Sequence, residues 1–227
     1  MRSSQISFRL ILSAILVASV GVRPVKSAAQ TDAPAILTFT LDFPTSQPEH
    51  YSIRLQSDGV GHYQSSGRLS PESDETDSFD LDFTLAPNSR QKLFELAAKA
   101  GYFQRDLDSH HKGLAFTGKK TLAYKDAQRS GESTYNYSGN AAAEDLTNLM
   151  QGLGATLEFG RRLQHDRHYQ KLALDEDLKR MEDMAHNHQL NEITAIQPIL
   201  DQIVADPAVM NVTRARAQRL LQGAGAH

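Results

Sequence analysis

The spacing of hydrophobic residues divides this chain into a first region patterned like strands and a second patterned like helices. Hydrophobic and polar residues alternate at 37–43, 51–56 and 78–85. A period of two is typical of strands that bury one face. Asp58-Gly59 predicts a hairpin turn after the second strand, with the chain returning through 60–64, because an Asp-Gly pair tolerates the positive φ of a tight turn.

A single helix is predicted inside the strand region. Asn88 with Gln91 resembles a capping box, hydrophobic residues then recur at helical spacing, and Gly101 is a natural stop. The pattern at 121–125 and 133–138 then predicts the two strands of a second hairpin. Strands that alternate need cover on one face only, so we expect a mainly antiparallel sheet with one packed helix.

From Asn140 onward the hydrophobic stripes have helical spacing. We expect a break at His186 to His188 and a helix kinked at Pro198. Asp206-Pro207 predicts a further helix start, with a cap followed by proline at the first helical position. The predicted fold class is therefore α+β, with the sheet and its helix in residues 30–138 and a helical region in residues 139–227.

The first 29 residues have the pattern of a secretory signal peptide. Arg2 and Arg9 flank a short polar start, residues 10–22 are mostly apolar, and Ser27 and Ala29 suit a cleavage site after Ala29. The apolar run is shorter than the roughly 20 residues of a spanning helix. An uncleaved N-terminal anchor is the alternative. We expect an exported protein, periplasmic or extracellular, without a stable membrane span after cleavage.

The net charge of the chain bears on the kind of partner that it can bind. The 227-residue chain has 24 basic and 27 acidic side chains, and residues 1–29 contain four of the basic ones and no acid. The mature chain would thus have 20 basic and 27 acidic side chains, a formal charge of −7, which argues against nucleic acid as a partner. The chain has no cysteine, so its stability cannot come from disulfides.

Residues 113–120 nearly match a phosphate-binding loop, but the match is incomplete. Lys120 stands where that motif needs serine or threonine, and the pattern that follows is a strand rather than a helix. We therefore interpret Gly118 as a turn or bulge glycine. Gly152 and Gly154 lie within a helical stripe, where glycine marks a break or a place where another helix approaches closely.

The candidate site residues are acidic or histidine-rich. Asp80 and Asp82 share one strand face, a geometry that a hydrolase could use, and His110-His111 could contribute to a metal or ligand site. His165 and His168 lie among basic residues, which opposes cation binding. No complete set of metal ligands, nucleophile elbow or cofactor motif is present in the sequence, so no catalytic, metal or cofactor residue is assigned.

Two segments resemble known kinds of domain. The stretch SIRLQSDGVGHYQSSG, the strand FDLDFTL and the helix LFELAAKAGYF look like an uncharacterised bacterial exported domain covering about 35–138. Residues 195–221, with Pro198, Asp206 and Arg214, resemble a HEAT-type helical hairpin. The first resemblance implies export, the second implies a packing surface, and neither implies an activity.

These observations favour a non-catalytic binding or interaction module of the bacterial cell envelope. Its partner would be another envelope protein or a second copy of the chain. The alternative is a secreted hydrolase, or a binder of a small ligand or metal, that uses Asp80 and Asp82 or the His110-His111 loop.

Overall fold

The computed structural model describes residues 33–68 and 76–224, which belong to one compact unit. The predicted signal peptide lies outside the described residues. None of the described helices combines the length and apolar character that crossing a membrane requires.

Six strands form one antiparallel sheet in the order β4-β3-β2-β1-β5-β6. Their bounds are β1 Ile36–Asp42, β2 His50–Gln56, β3 Val60–Arg68, β4 Thr76–Thr84, β5 Lys119–Lys125 and β6 Ser130–Tyr135. The predicted alternation is confirmed, because in β1 and β2 every second side chain is buried. The Asp58-Gly59 turn is also confirmed, since Gly59 has φ +102° and the Asp58 carboxylate accepts the Val60 N–H at 3.0 Å.

Helix α1, Pro87–Lys99, packs beside the sheet where the helical spacing predicts it. The predicted Asn88 cap is wrong. Ala86 takes the N-cap position and Pro87 begins the helix, so Asn88 already lies in the first turn. Proline suits this position because the N–H that it lacks has no partner at a helix start.

Four helices follow residue 139 and confirm the α+β fold class. They are α2 Ala141–Tyr169, α3 Lys171–His186, α4 Gln197–Ala205 and α5 Asn211–Ala224. The break predicted at His186 is confirmed. Helix α2 begins at an Asn140 cap whose side chain accepts the Ala143 N–H at 3.1 Å.

Two predictions about the last helices are wrong. Pro198 does not kink one long helix; a 3₁₀ turn at Ile193–Ile196 precedes α4, and the proline lies in the first turn of α4, where its missing N–H costs nothing. Asp206-Pro207 begins a turn and not a helix. The Asp206 carboxylate accepts the Ala208 N–H at 2.9 Å, and α5 starts only at Asn211.

Helix α2 lies against the buried face of the sheet. The Tyr135 hydroxyl is hydrogen-bonded to Thr147, and the Tyr63 hydroxyl donates to Glu158. Buried side chains of the sheet and of all five helices belong to one hydrophobic core. The opposite face of the sheet carries mostly polar side chains.

Candidate functional site

A cleft of about 680 Å³ lies between one end of the sheet, the loop after β1 and helices α2 and α3. This volume is in the range of sites that take small organic ligands. The lining combines aromatic and charged side chains, among them Tyr51, Tyr63, Glu158, Phe159, Arg161, Arg162, Arg180 and Met184.

Two tyrosines from neighbouring strands line the cleft. The rings of Tyr51 and Tyr63 are 5.9 Å apart between centroids, and both side chains are buried. A Cβ at Gly154 would lie 2.8 Å from the Tyr51 ring, so only glycine lets α2 come this close. The helix continues through Gly152 and Gly154 without a break, and what comes close to them is Tyr51 of β2 and Asn191 of the segment after α3 rather than another helix.

A buried carboxylate connects the sheet to α2. Glu158 is only 9% exposed, and its Oε2 accepts the Tyr63 hydroxyl at 3.3 Å. Its Oε1 accepts two Arg161 N–H groups at 2.7 Å, and Arg161 also contacts Asp77 at 3.0 Å. The carboxylate and this guanidinium thus hold each other in place.

Burial raises the pKa of both cleft tyrosines, and the negative charge of Glu158 raises that of Tyr63 further. Both phenols therefore stay protonated, and that of Tyr63 donates to Glu158. The Ser46 hydroxyl donates within its own loop, 2.8 Å from the Phe43 carbonyl oxygen and 2.6 Å from that of Pro48. The cleft lining thus presents phenol groups, guanidinium groups and the Glu158 carboxylate, which is already bonded to Tyr63 and Arg161.

Arg162 and Arg180 are the less neutralised cations of the cleft. The Arg162 guanidinium lies 4.4 Å from the Phe159 ring centroid, and its Nε is buried without a hydrogen-bond partner. Its one carboxylate contact, to Asp177, is 3.5 Å long. Arg180 makes no hydrogen bond or ion pair with the described residues and lines the same cleft.

The Asp177 carboxyl contacts Arg162 at 3.5 Å. Burial raises its pKa, as does the neighbouring Asp166, against the lowering effect of Arg162 and Arg180. Among the residues that line the cleft, three are arginines and one, Glu158, is acidic. An anion entering the cleft would therefore meet positive charge.

The acidic strand face lies elsewhere. Asp80 and Asp82 project from β4 with side chains 56% and 86% exposed, and both contact His62, at 3.4 and 2.8 Å respectively. The structure brings these three residues together on the polar face of the sheet, outside the lining of the cleft. The acids at 72–75 lie outside the described residues.

The histidine candidates are also separate from the cleft. His110 lies 2.8 Å from Asp106 in an exposed loop, beside a smaller hollow of about 480 Å³ that Asp106 and Asp108 help to line. His165 contacts Asp166, and His168 contacts the Gln164 carbonyl oxygen. Within residues 33–68 and 76–224, no group of three or more His, Cys, Asp or Glu side chains is arranged to hold a metal ion.

In the segment 113–120, the ammonium group of Lys120 forms hydrogen bonds within the protein. Gly118 has φ +97° directly before β5, and a Cβ there would lie 2.7 Å from Leu41. The Lys120 ammonium is buried and donates to Thr117 Oγ1 at 2.9 Å and to the Asn136 carbonyl oxygen at 2.8 Å. The interpretation of Gly118 as a turn glycine is confirmed, and the Lys120 donors are engaged within the fold.

Sequence reasoning missed the cleft because its residues are far apart along the chain. Tyr63 and Glu158 are separated by 95 positions. The available signal was Glu158 itself, an acid between Leu157 and Phe159 in an otherwise apolar stretch. A charged residue on a buried helix face indicates a paired or functional role.

No family model matches this chain, and no curated protein does.

Proposed function

We propose that the chain is an exported, non-catalytic binding module of the bacterial cell envelope that holds a small organic anion in the cleft between the sheet and α2–α3. The observation that carries the proposal is the pair Arg162 and Arg180, which lines a ligand-sized cleft: Arg162 has a long carboxylate contact, 3.5 Å to Asp177, and Arg180 has no hydrogen bond or ion pair with the described residues. Export is supported by the signal-peptide pattern of residues 2–29.

The charge of the ligand follows from the lining. Three arginines and one glutamate line the cleft, and Glu158 is already engaged by Arg161 and Tyr63. Arg162 and Arg180 therefore supply the free donors. A guanidinium binds a carboxylate or phosphate through paired N–H donors, so a ligand with one such group suits this pair.

The non-ionic part of the ligand is inferred from the other residues that line the cleft. Tyr51, Phe159 and Met184 give the cleft an apolar and aromatic side next to the arginines. Aromatic rings and a thioether pack well against an aromatic or aliphatic skeleton. An amphiphilic carboxylate matches both halves of this lining better than a free inorganic anion does.

The proposal is tested by thermal unfolding with benzoate and decanoate as probes and benzamide as the uncharged control, at constant ionic strength. A ligand that binds only the folded state raises the unfolding temperature. We expect stabilisation by at least one carboxylate probe and none by benzamide. Arg162→Gln and Arg180→Gln should each remove most of the shift.

Arg105→Gln is the matched control, because Arg105 is exposed and lines the other hollow. It should keep the full shift. A shift that survives Arg180→Gln, or one that Asp82→Ala abolishes instead, would contradict the cleft as the binding site. No shift with either carboxylate would contradict the proposed ligand class. Mass spectrometry of the exported protein checks cleavage after Ala29.

A further inference from the structure

Four hydrophobic side chains are exposed together at one end of the helical region. Tyr169 and Leu172 are 78% and 81% exposed at the junction of α2 and α3, and Met210 and Val212 are 46% and 51% exposed at the start of α5. We call these four residues the end patch. They share no residue with the lining of the cleft.

The packing of α3 on α5 brings the four residues to the same end. Thr213 and Arg216 contact Asp175 at 3.0 Å, and Arg219 contacts Glu182 at 2.8 Å, so the two helices run parallel. Their first turns are therefore neighbours. The Lys171 ammonium lies 3.5 Å from the Ala208 carbonyl oxygen, which ties the start of α3 to the turn before α5.

The surroundings of the end patch are positively charged. Arg167 and Lys171 donate to the backbone carbonyl oxygens of Gln202 and Ala208, and Arg214 donates to the Asn211 side-chain amide. These acceptors are neutral, so they leave the three charges in place.

Helix ends of both signs meet at this surface. The first turns of α3 and α5 contain no acidic residue, whereas α2 ends at Tyr169 and α4 ends at Ala205 on the same side, so the helix dipoles offset one another and the positive potential comes from the side chains. Acids are close as well: Asp175 is paired with Arg216, and the Asp206 carboxylate accepts the Ala208 N–H.

We infer that the end patch docks on an anionic lipid bilayer. Hydrophobic side chains that project between cations match a surface with anionic headgroups above an apolar interior. A protein partner would need a pocket for each projecting side chain, whereas lipid adapts to them. Tyrosine suits the headgroup level because its ring is apolar and its hydroxyl polar, and lysine and arginine reach the headgroups from flanking positions.

Co-sedimentation with vesicles tests this inference on the protein recovered from the exported fraction. The vesicles are pure phosphatidylcholine, or phosphatidylcholine with 30% phosphatidylglycerol. We expect binding to the anionic vesicles only, weakening as salt rises. The double variant Arg167→Gln/Lys171→Gln should bind at least about tenfold more weakly, since each cation near an anionic surface contributes about fivefold.

Tyr169→Ser/Leu172→Ser should lower vesicle binding by about tenfold as well, through the lost apolar insertion. Lys112→Gln and Leu114→Ser are the matched controls, because both residues are exposed in a distant part of the sequence. Circular dichroism of every variant checks the fold. Arg180→Gln should keep full vesicle binding, which separates this inference from the ligand proposed for the cleft.

Three outcomes would overturn the inference. One is the absence of binding to anionic vesicles at low salt. The second is binding that the end-patch variants leave unchanged, which would place the lipid contact elsewhere on the chain, the N-terminal segment included. The third is self-association, measured by sedimentation velocity, that the end-patch variants abolish while vesicle binding is unaffected.

Discussion

Glu158 in the cleft and Asp82 on the open face of the sheet have basic partners at almost the same distance but in opposite surroundings. Arg161 lies 2.7 Å from Glu158, and His62 lies 2.8 Å from Asp82. The Glu158 side chain is 12% exposed, whereas that of Asp82 is 86% exposed. Burial, and not contact distance, decides how much each contact contributes, because water screens an exposed pair and cannot replace a buried one.

The sharpest test of this comparison removes each carboxylate in turn. Glu158→Ala leaves the Arg161 guanidinium and the Tyr63 hydroxyl without an acceptor, so we expect the free energy of unfolding to fall by about 2 to 3 kcal/mol. Asp82→Ala should leave it unchanged within error. Urea unfolding followed by circular dichroism measures both variants. Equal losses from the two would contradict the role assigned to burial.

Glu158 and Asp82 also differ in how far along the sequence the cues to each residue lie, and this difference explains which features the sequence could predict. Alternation in β1 and β2 is local, so the strands and the Asp58-Gly59 turn could be predicted from a few neighbouring residues. Asp80 and Asp82 attracted attention because they are close in sequence. The cleft depends on contacts such as Tyr63 with Glu158, and sequence spacing carries no information about a pair 95 positions apart.

Predictions from local sequence also failed where the same residue pattern suits two kinds of local structure. An aspartate followed by proline suits a helix start, but it suits a turn equally well when the carboxylate accepts an N–H two residues on, as Asp206 does from Ala208. Asn88 failed as a cap because α1 already begins at Pro87, and its N-cap, Ala86, lies two residues earlier. In both cases the residue type was informative and its exact role was decided by its neighbours.

A second prediction examines the packing that buries the cleft. Gly154→Ala puts a methyl group 2.8 Å from the Tyr51 ring, which is itself buried. We expect a loss of about 1 to 2 kcal/mol, because the clash outweighs the higher helix propensity of alanine. Gly223→Ala is the matched control in α5, where the added Cβ meets open space, and it should stabilise the protein slightly. Chemical unfolding that finds both variants stabilised would show that Tyr51 can move aside.

The smallest expected change in stability is that of a variant at Asp177. Its side chain is 17% exposed, between those of Glu158 and Asp82. Its raised pKa means that the fold favours the protonated carboxyl. This contribution is complete below pH about 4, the ordinary aspartate value, and is lost as pH rises through the folded-state pKa. Asp177→Asn keeps a neutral group at every pH, so its stability relative to wild type should increase across that window and then level off. Unfolding measured from pH 3 to 7 checks this, and a difference that stays constant or reverses would contradict the raised pKa of Asp177.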